Sequence, residues 1–416
     1  MQLILRSSAS KVLAGIFCLI LISAYLGIAA RDLFAARLGA SDDSQAIKRA
    51  IALDPGNAKY PNRLGQYFMF SEQRPDLAIP QYLSAATLNP HIPDYWLDLA
   101  SAYSATGAGD QQKFALERAL EVDPNTPIVS RQVANAFFAR GDVHEAAGMY
   151  RHLLQNDRWE TESTLQICWQ GTHDLDVMSE VLPTVPRAHL VFLKMLIGEG
   201  KTEEAELMWP RLIALQLPFE PALAEPYIEY LMAQGDVKHA RGAWEDLGGL
   251  DPHFRPYLSS AGNLVVNGGF EEKIINMGFD WRYVVEPHAV LAVDTEQFHG
   301  GSHSLSITFD GEAVVDTGLS QSIAVEANKR YAFTAYARAD DISAAHGPLF
   351  VISDAFTKDP LLQTEEILGA SGWRQLSGSF QTGPNTNLVS LRIMRAPGAG
   401  RITGKLWIDD VAMVRQ

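Results

Sequence analysis

The hydrophobic rhythm of the chain changes twice. Between Lys11 and Arg31 lie 19 uncharged residues, Val12 to Ala30, almost all apolar. From Ser44 to about Pro252 the apolar positions recur three and four apart, the period of helices that bury one face. Beyond Asn263 they alternate. "SLSITFDG" sets Leu305, Ile307 and Phe309 against Ser304, Ser306 and Thr308. "RYAFTAYARA" sets Tyr331, Phe333 and Ala335 against Thr334, Tyr336 and Arg338, and "NLVSLRIMRA" sets Val389, Leu391 and Ile393 against Ser390, Arg392 and Met394. A period of two, with Gly-, Asn- and Asp-rich turns, predicts an antiparallel sandwich. The switch falls in "HFRPYLSSAGNLVVNGGFEE", punctuated by Pro256, Ser259, Ser260 and Gly262.

The chain thus reads as multidomain. Residues 1–11 form a cytoplasmic N-terminus, 12–30 a transmembrane helix, 31–43 a linker, 44–255 an all-α repeat region, 256–262 a second linker and 263–416 an all-β sandwich. As a helix the first apolar run spans ~28 Å, close to the hydrocarbon thickness of a bilayer. Arg6 and Lys11 precede it and favour a cytoplasmic N-terminus, while Arg31 and Arg37 follow it and weaken that asymmetry. A signal anchor, with everything after Arg31 outside the cytoplasm, accounts for the pattern. The alternative is a cleaved signal with Gly27-Ile28-Ala29 as its small-residue site, against which the length of the run speaks.

Within the helical part, Pro55, Pro90 and Pro124 are 35 and 34 residues apart, each closing an apolar-periodic segment. Such spacing marks stacked helical hairpins, with proline ending the second helix of each. Trp96, Leu99, Ala100, Tyr103, Gly107, Ala119 and Pro124 fall in the register of the tetratricopeptide repeat, which this region resembles. Leu64, Gly65, Phe68, Ala78, Tyr82, Ala85 and Pro90 repeat it, with a slip of one residue between Phe68 and Ala78. "ARGDVHEA", "GEGKTEEA" and "AQGDVKHA" echo one another: Gly141, Gly200 and Gly235 suit left-handed helix ends. Ala146, Ala205 and Ala240 suit close helix contact, and Tyr150, Trp209 and Trp244 fill the adjoining groove. Roughly six hairpins fit, the stretch from about 158 to 188 being a degenerate unit or a spacer. The resemblance implies a curved solenoid that binds a protein or peptide partner, although the signature residues themselves are packing residues.

The order "NLVVNGGFEE", "HGGSHSLSITF", "RYAFTAYARA", "GWRQLSGSFQT", "LWIDDVAMV" resembles a family of carbohydrate-binding modules with a galactose-binding-like jelly-roll fold, over Asn263 to Gln416. The resemblance implies an oligo- or polysaccharide ligand, and a structural calcium held by Glu271, Asp409 and Asp410, oxygen ligands suited to a hard cation. Candidate sugar contacts are Tyr336, Arg338 and Arg392 from the non-core phase of two strands, and Trp281 as an aromatic. Trp281, Trp373 and Trp407 also read as core or edge packing, and the arginines as members of surface ion pairs. Gly268 and Gly269 permit a sharp turn, with Phe270 capping the core.

Charge and composition narrow the function. A net charge of −15 without a long Lys/Arg run excludes a general nucleic-acid binder. Cys18 and Cys168 are the two cysteines, one inside the apolar run, so neither a disulfide nor a zinc spacing is expected. There is no Gly-rich phosphate loop, no Gly-x-Ser-x-Gly and no His-Glu-x-x-His, and His299 and His303 flank a turn at the surface. The expectation is a non-enzymatic scaffold of a bacterial envelope, possessed of glycan- and protein-docking surfaces and tied to polysaccharide assembly or export. The contrasting expectation is a purely structural protein whose sandwich packs on the repeats and binds no sugar.

Overall fold

The structure, a computed structural model, describes residues 8–156, 161–260 and 262–416. Arg6 lies outside them. The described chain forms two units, Met1–Pro183 and Thr184–Gln416.

The first unit opens with α1 (Ser8–Gly39), long and apolar enough over Lys11–Gly39 to cross a membrane. The expected linker 31–43 is therefore helical as far as Gly39. Its last turns are committed to packing, since Ala35 is buried with Ala50 and Tyr60. Helices α2 (Ser44–Leu53), α3 (Lys59–Gln66), α4 (Pro75–Leu88), α5 (Pro93–Ala105), α6 (Gly109–Val122), α7 (Pro127–Arg140) and α8 (Val143–Asn156) follow as hairpins. Then come α9 (Thr161–Thr172) and a short α10 (Leu175–Val181), so the region expected as a degenerate unit or spacer contains a hairpin. The one-residue slip after Phe68 has a structural cause: Tyr67–Ser71 is a π-helical turn, which takes up one extra residue per turn. Ala78, Tyr82, Leu99, Ala119, Ala146 and Tyr150 are all buried, as packing positions of the repeat should be. Gly141 ends α7 at φ 88°, left-handed as its position requires. Cys168 is a free, buried thiol whose pKa burial pushes up to about 12.

The second unit begins with two more hairpins, α11 (Pro186–Gly198) with α12 (Thr202–Ile213) and α13 (Glu225–Ala233) with α14 (Val237–Leu250). It continues without a free linker. A 3-10 turn, Pro252–Tyr257, buries Phe254 and Tyr257, and the Trp244 indole Nε1 donates to the Tyr257 carbonyl at 2.7 Å. The sandwich follows as two antiparallel five-stranded sheets. One runs β1 (Trp281–Tyr283), β4 (Asp316–Ala324), β9 (Leu388–Met394), β6 (Leu349–Asp354), β7 (Pro360–Gln363). The other runs β2 (Ala289–Asp294), β3 (Ser304–Ala313), β10 (Arg401–Arg415), β5 (Arg330–Ser343), β8 (Gly369–Gln381). The alternating apolar sets of β3, β5 and β9 meet in one core between the sheets.

The "NGGFEE" turn locks the start of the sandwich to its end. Leu264 N donates to Met413 O at 2.8 Å and Val411 N to Gly268 O at 2.9 Å. A Cβ on Gly268 would overlap the Val411 carbonyl, which is why glycine stands there. Phe270, at φ 55°, is buried against Trp281 with ring centroids 5.2 Å apart. Trp281 is 0% exposed and its Nε1 donates to the Asn267 carbonyl. It is a core residue and unavailable to a ligand, which corrects the expectation that placed it among sugar contacts.

Candidate functional site

Alternation on β5 builds the open face. Tyr331, Phe333, Ala335 and Ala337 point into the core, which turns Thr334, Tyr336 and Arg338 outward, each half-buried. The register sets Tyr336 opposite Asp409 of β10 and Gln375 of β8, and Arg338 opposite Trp407. The same parity on β10 puts Lys405 and Trp407 on this side of the sheet, Lys405 half-buried and Trp407 buried at 6% exposure beneath its neighbours.

These side chains form one cluster. The Arg338 guanidinium lies 5.7 Å and the Lys405 ammonium 4.6 Å from the Trp407 ring centroid, inside cation–π range. Asp294 anchors that arrangement from β2. Its Oδ2 accepts from Trp407 Nε1 (2.8 Å) and Lys405 Nζ (3.1 Å), and its Oδ1 from the backbone N–H of Glu296 (3.0 Å) and Gln297 (3.1 Å). The Trp407 bond first, with those backbone bonds, holds its carboxyl well below the usual range. Beside it, His299 stacks on Tyr336 with centroids 3.6 Å apart and meets Trp373 edge-on at 5.9 Å. The stacked ring leaves Tyr336 its edge and hydroxyl to offer, while half-exposed Trp373 supplies ring surface.

The structure brings Tyr336 and Arg338 together as expected and separates Arg392 from them. Arg392 sits on β9 in the other sheet and is paired with Asp316. Trp373 carried a usable signal, since it is out of phase with the buried Leu376 and Phe380 of β8, whereas Trp407 is buried among buried neighbours. His299 carried none, because its place is set by the fold of the 299–303 loop.

That loop is where the three acids converge. Asp409 is fully buried; its Oδ2 accepts from His299 N (2.7 Å) and Gly300 N (3.0 Å), and burial raises its pKa. Glu271 accepts from Ser302 N (2.7 Å), Ser302 Oγ (2.7 Å) and His303 N (3.0 Å), and its Oε2 lies 3.0 Å from His303 Nδ1. The His303 contact, then Ser302, pulls its pKa to about 2. Asp410 Oδ2 meets His299 Nδ1 at 2.6 Å. Asp409 Oδ1 and Asp410 Oδ1 both stand 3.8 Å from where a Cβ on Gly269 would be, an ordinary contact distance. Asp409 Oδ1 already accepts from Asp410 N at 2.7 Å, and two carboxylates supply only part of the oxygen shell of about six to eight ligands that calcium takes. Glu271 would have to leave Ser302 and His303 to join it.

A second cluster lies on the helices. Glu206, Asp236 and His239 come together there, and Glu206 and His239 border a cavity of about 660 Å³ with Trp209 and Tyr227. Asp236 already caps α14, accepting from His239 N at 3.2 Å and meeting His239 Nδ1 at 2.6 Å. Burial, with Asp236 alongside, raises the Glu206 carboxyl.

The other side of the sandwich is partly covered. Glu229 of α13 pairs with Arg282 of β1 and accepts from Gly278 N at 3.2 Å. Trp244 of α14 packs edge-on against Phe279 at 5.9 Å, and Asn387 Nδ2 donates to the Gly235 carbonyl at 3.0 Å.

Residues 262–398 match the family described as a carbohydrate binding domain. Solved structures similar to the chain include one titled "CBM4 structure and function", at 18% identity, 36% of this chain, 99% of that one and a TM-score of 0.28. Another is TmCBM61, solved in complex with β-1,4-galactotriose, at 18% identity over 37% of this chain and 99% of that one, TM-score 0.29. MamA is similar at 16% identity over 42% of this chain and 86% of that one, TM-score 0.25. No curated protein matches the chain. Residues 262–398 thus match a carbohydrate binding domain and form most of a two-sheet antiparallel sandwich, which follows helical hairpins along the chain.

Proposed function

We propose that this protein is a non-enzymatic, membrane-anchored scaffold of the bacterial envelope whose sandwich binds glycan on the outer face of β5, β10 and β8. The observation that carries this is the cluster of half-buried Tyr336, Trp373 and Arg338 on one face, Arg338 lying over the buried Trp407 ring, largely within a segment that matches a carbohydrate-binding family. A half-exposed aromatic ring beside hydrogen-bonding edges suits a sugar, which has an apolar ring face and a rim of hydroxyls. The helical hairpins would hold a protein partner and α1 would fix the assembly to a membrane, an arrangement consistent with polysaccharide assembly or export. A calcium ion, where taken up, would be held by Asp409 and Asp410 and would brace the 299–303 loop beside this face.

Binding of the full chain, held in detergent, to an oligosaccharide array tests the reading. Wild type should bind at least one oligosaccharide class, and Trp373→Ala should weaken that binding about tenfold or more with the fold retained. The contrasting reading, a sandwich that only packs on helices, draws support from the Arg282–Glu229 and Trp244–Phe279 contacts. A wild-type chain that binds no oligosaccharide would favour it.

A further inference from the structure

Two cations on the outward side of β5 have no counter-charge among the described residues: Arg330, exposed at the start of the strand, and Arg338, half-buried in its middle. Among the described arginines of the sandwich, Arg282, Arg374, Arg392, Arg401 and Arg415 each pair with a carboxylate. Arg395 is buried on the carbonyls of His346, Val314 and Gly400. Arg338, in the middle of β5, has neither kind of partner among the described residues, and its Nε is buried without an acceptor. Arg282 and Arg392 have the same buried Nε, but each sets an Nη on an acid. Acids are not scarce, for the chain has 49 acidic residues against 34 lysines and arginines. The neighbouring cation, Lys405, is already neutralised by Asp294, which stays ionised under its four donors. What the middle of the face keeps to spare is therefore a guanidinium, steadied over the Trp407 ring and standing two residues from Tyr336 on the same side of the strand, while Arg330 lies at the strand's exposed end.

We infer that the glycan recognised here is acidic, a chain containing hexuronic acid, whose carboxylate takes the Arg338 fork while a neighbouring ring lies against Trp373. This rests on the reading of the face as a glycan site. A planar guanidinium matches a carboxylate by two parallel hydrogen bonds, and such charge-assisted pairs are roughly twice as strong as neutral ones. A neutral sugar would leave the charge of Arg338 unanswered.

The test uses the full chain in detergent and calorimetric titration with six probes: the α-1,4-galacturonate, β-1,4-mannuronate and β-1,4-glucuronate tetramers, each beside its carboxyl-reduced neutral counterpart. Wild type should bind at least one uronate about tenfold or more tighter than its reduced counterpart, with the preference shrinking as salt rises. Arg338→Gln should erase that preference, bringing uronate affinity down to that for the reduced tetramer. Arg338→Lys, which keeps the charge and loses the fork, should retain part of it and guards against a folding defect in the glutamine variant. Equal binding of uronate and reduced tetramer by wild type, or a preference that survives Arg338→Gln, overturns the acidic ligand and leaves the glycan face standing. Binding of none of the six overturns both.

Discussion

The two sheets of the sandwich each turn an arginine outward from a central strand, and they treat it oppositely. Arg392 on β9 is answered by Asp316, in a sheet whose β1 edge is tied to α13 through Arg282 and Glu229. Arg338 on β5 is left with an aromatic ring beneath it and no acid. One side answers its arginine with an acid, and the other leaves it without one among the described residues. A fold-stabilising surface satisfies its charges internally, because an unpaired half-buried charge costs stability. A recognition surface leaves the deficit for its ligand to fill.

That contrast can be broken first at the covered side. Trp244 is 2% exposed, packs on Phe254 and Phe279, and donates to the Tyr257 carbonyl. Trp244→Ala should cost about 3–5 kcal/mol in urea unfolding, and a loss under about 1 kcal/mol would show that the hairpin does not brace the sandwich. On the open side the expectation reverses. Tyr336→Ala should lower glycan affinity about tenfold in the same titrations while changing stability by no more than about 1–2 kcal/mol.

Asp280 sharpens the comparison by pH. It is fully buried behind β1, and burial raises its carboxyl to about 6. The folded state therefore holds this proton more tightly than the unfolded chain does. Its contribution favours folding below the ordinary carboxylate range and declines as pH rises from about 4 to about 6. Asp280→Asn should raise stability at pH 7 by roughly 1–3 kcal/mol and flatten the dependence between those limits, measured by denaturant unfolding across pH. Glu271, held near 2, has the opposite sign: its contribution is present above the ordinary glutamate pKa and is lost as pH falls toward 2. The smallest effect is expected from calcium. At millimolar concentration it should raise the Tm by a degree or two, on the order of tenths of a kcal/mol, and Asp410→Asn should abolish the rise. No rise in wild type would assign the three acids to the 299–303 loop alone.

Much of this was legible without coordinates. The proline spacing of 35 and 34 residues announced the hairpins, while the slip after Phe68 was visible as a slip and its cause, the π-helical turn, came only from the structure. The parity of β5 announced that Tyr336 and Arg338 share a face. The tryptophans were harder. Trp281, Trp373 and Trp407 all sit in strand-like stretches, yet one fills the core, one is half-exposed, and one lies under two cations. The linkers were misjudged for a related reason: polar or proline-marked stretches still pack when a neighbour supplies the partner, as Tyr60 does for α1 and Trp244 for Pro252–Tyr257.

By itself the sequence determined periodicity: where helices give way to strands, which glycines turn left-handed, and which side of each strand is apolar. These follow from local sterics and from the burial of one face, and both are written residue by residue. The tertiary structure alone decided which strands become neighbours, and hence that Arg392 meets an acid while Arg338 meets Trp407. It also decided that a loop histidine closes over Tyr336. Such pairings join residues far apart in the chain, and no local period carries that information.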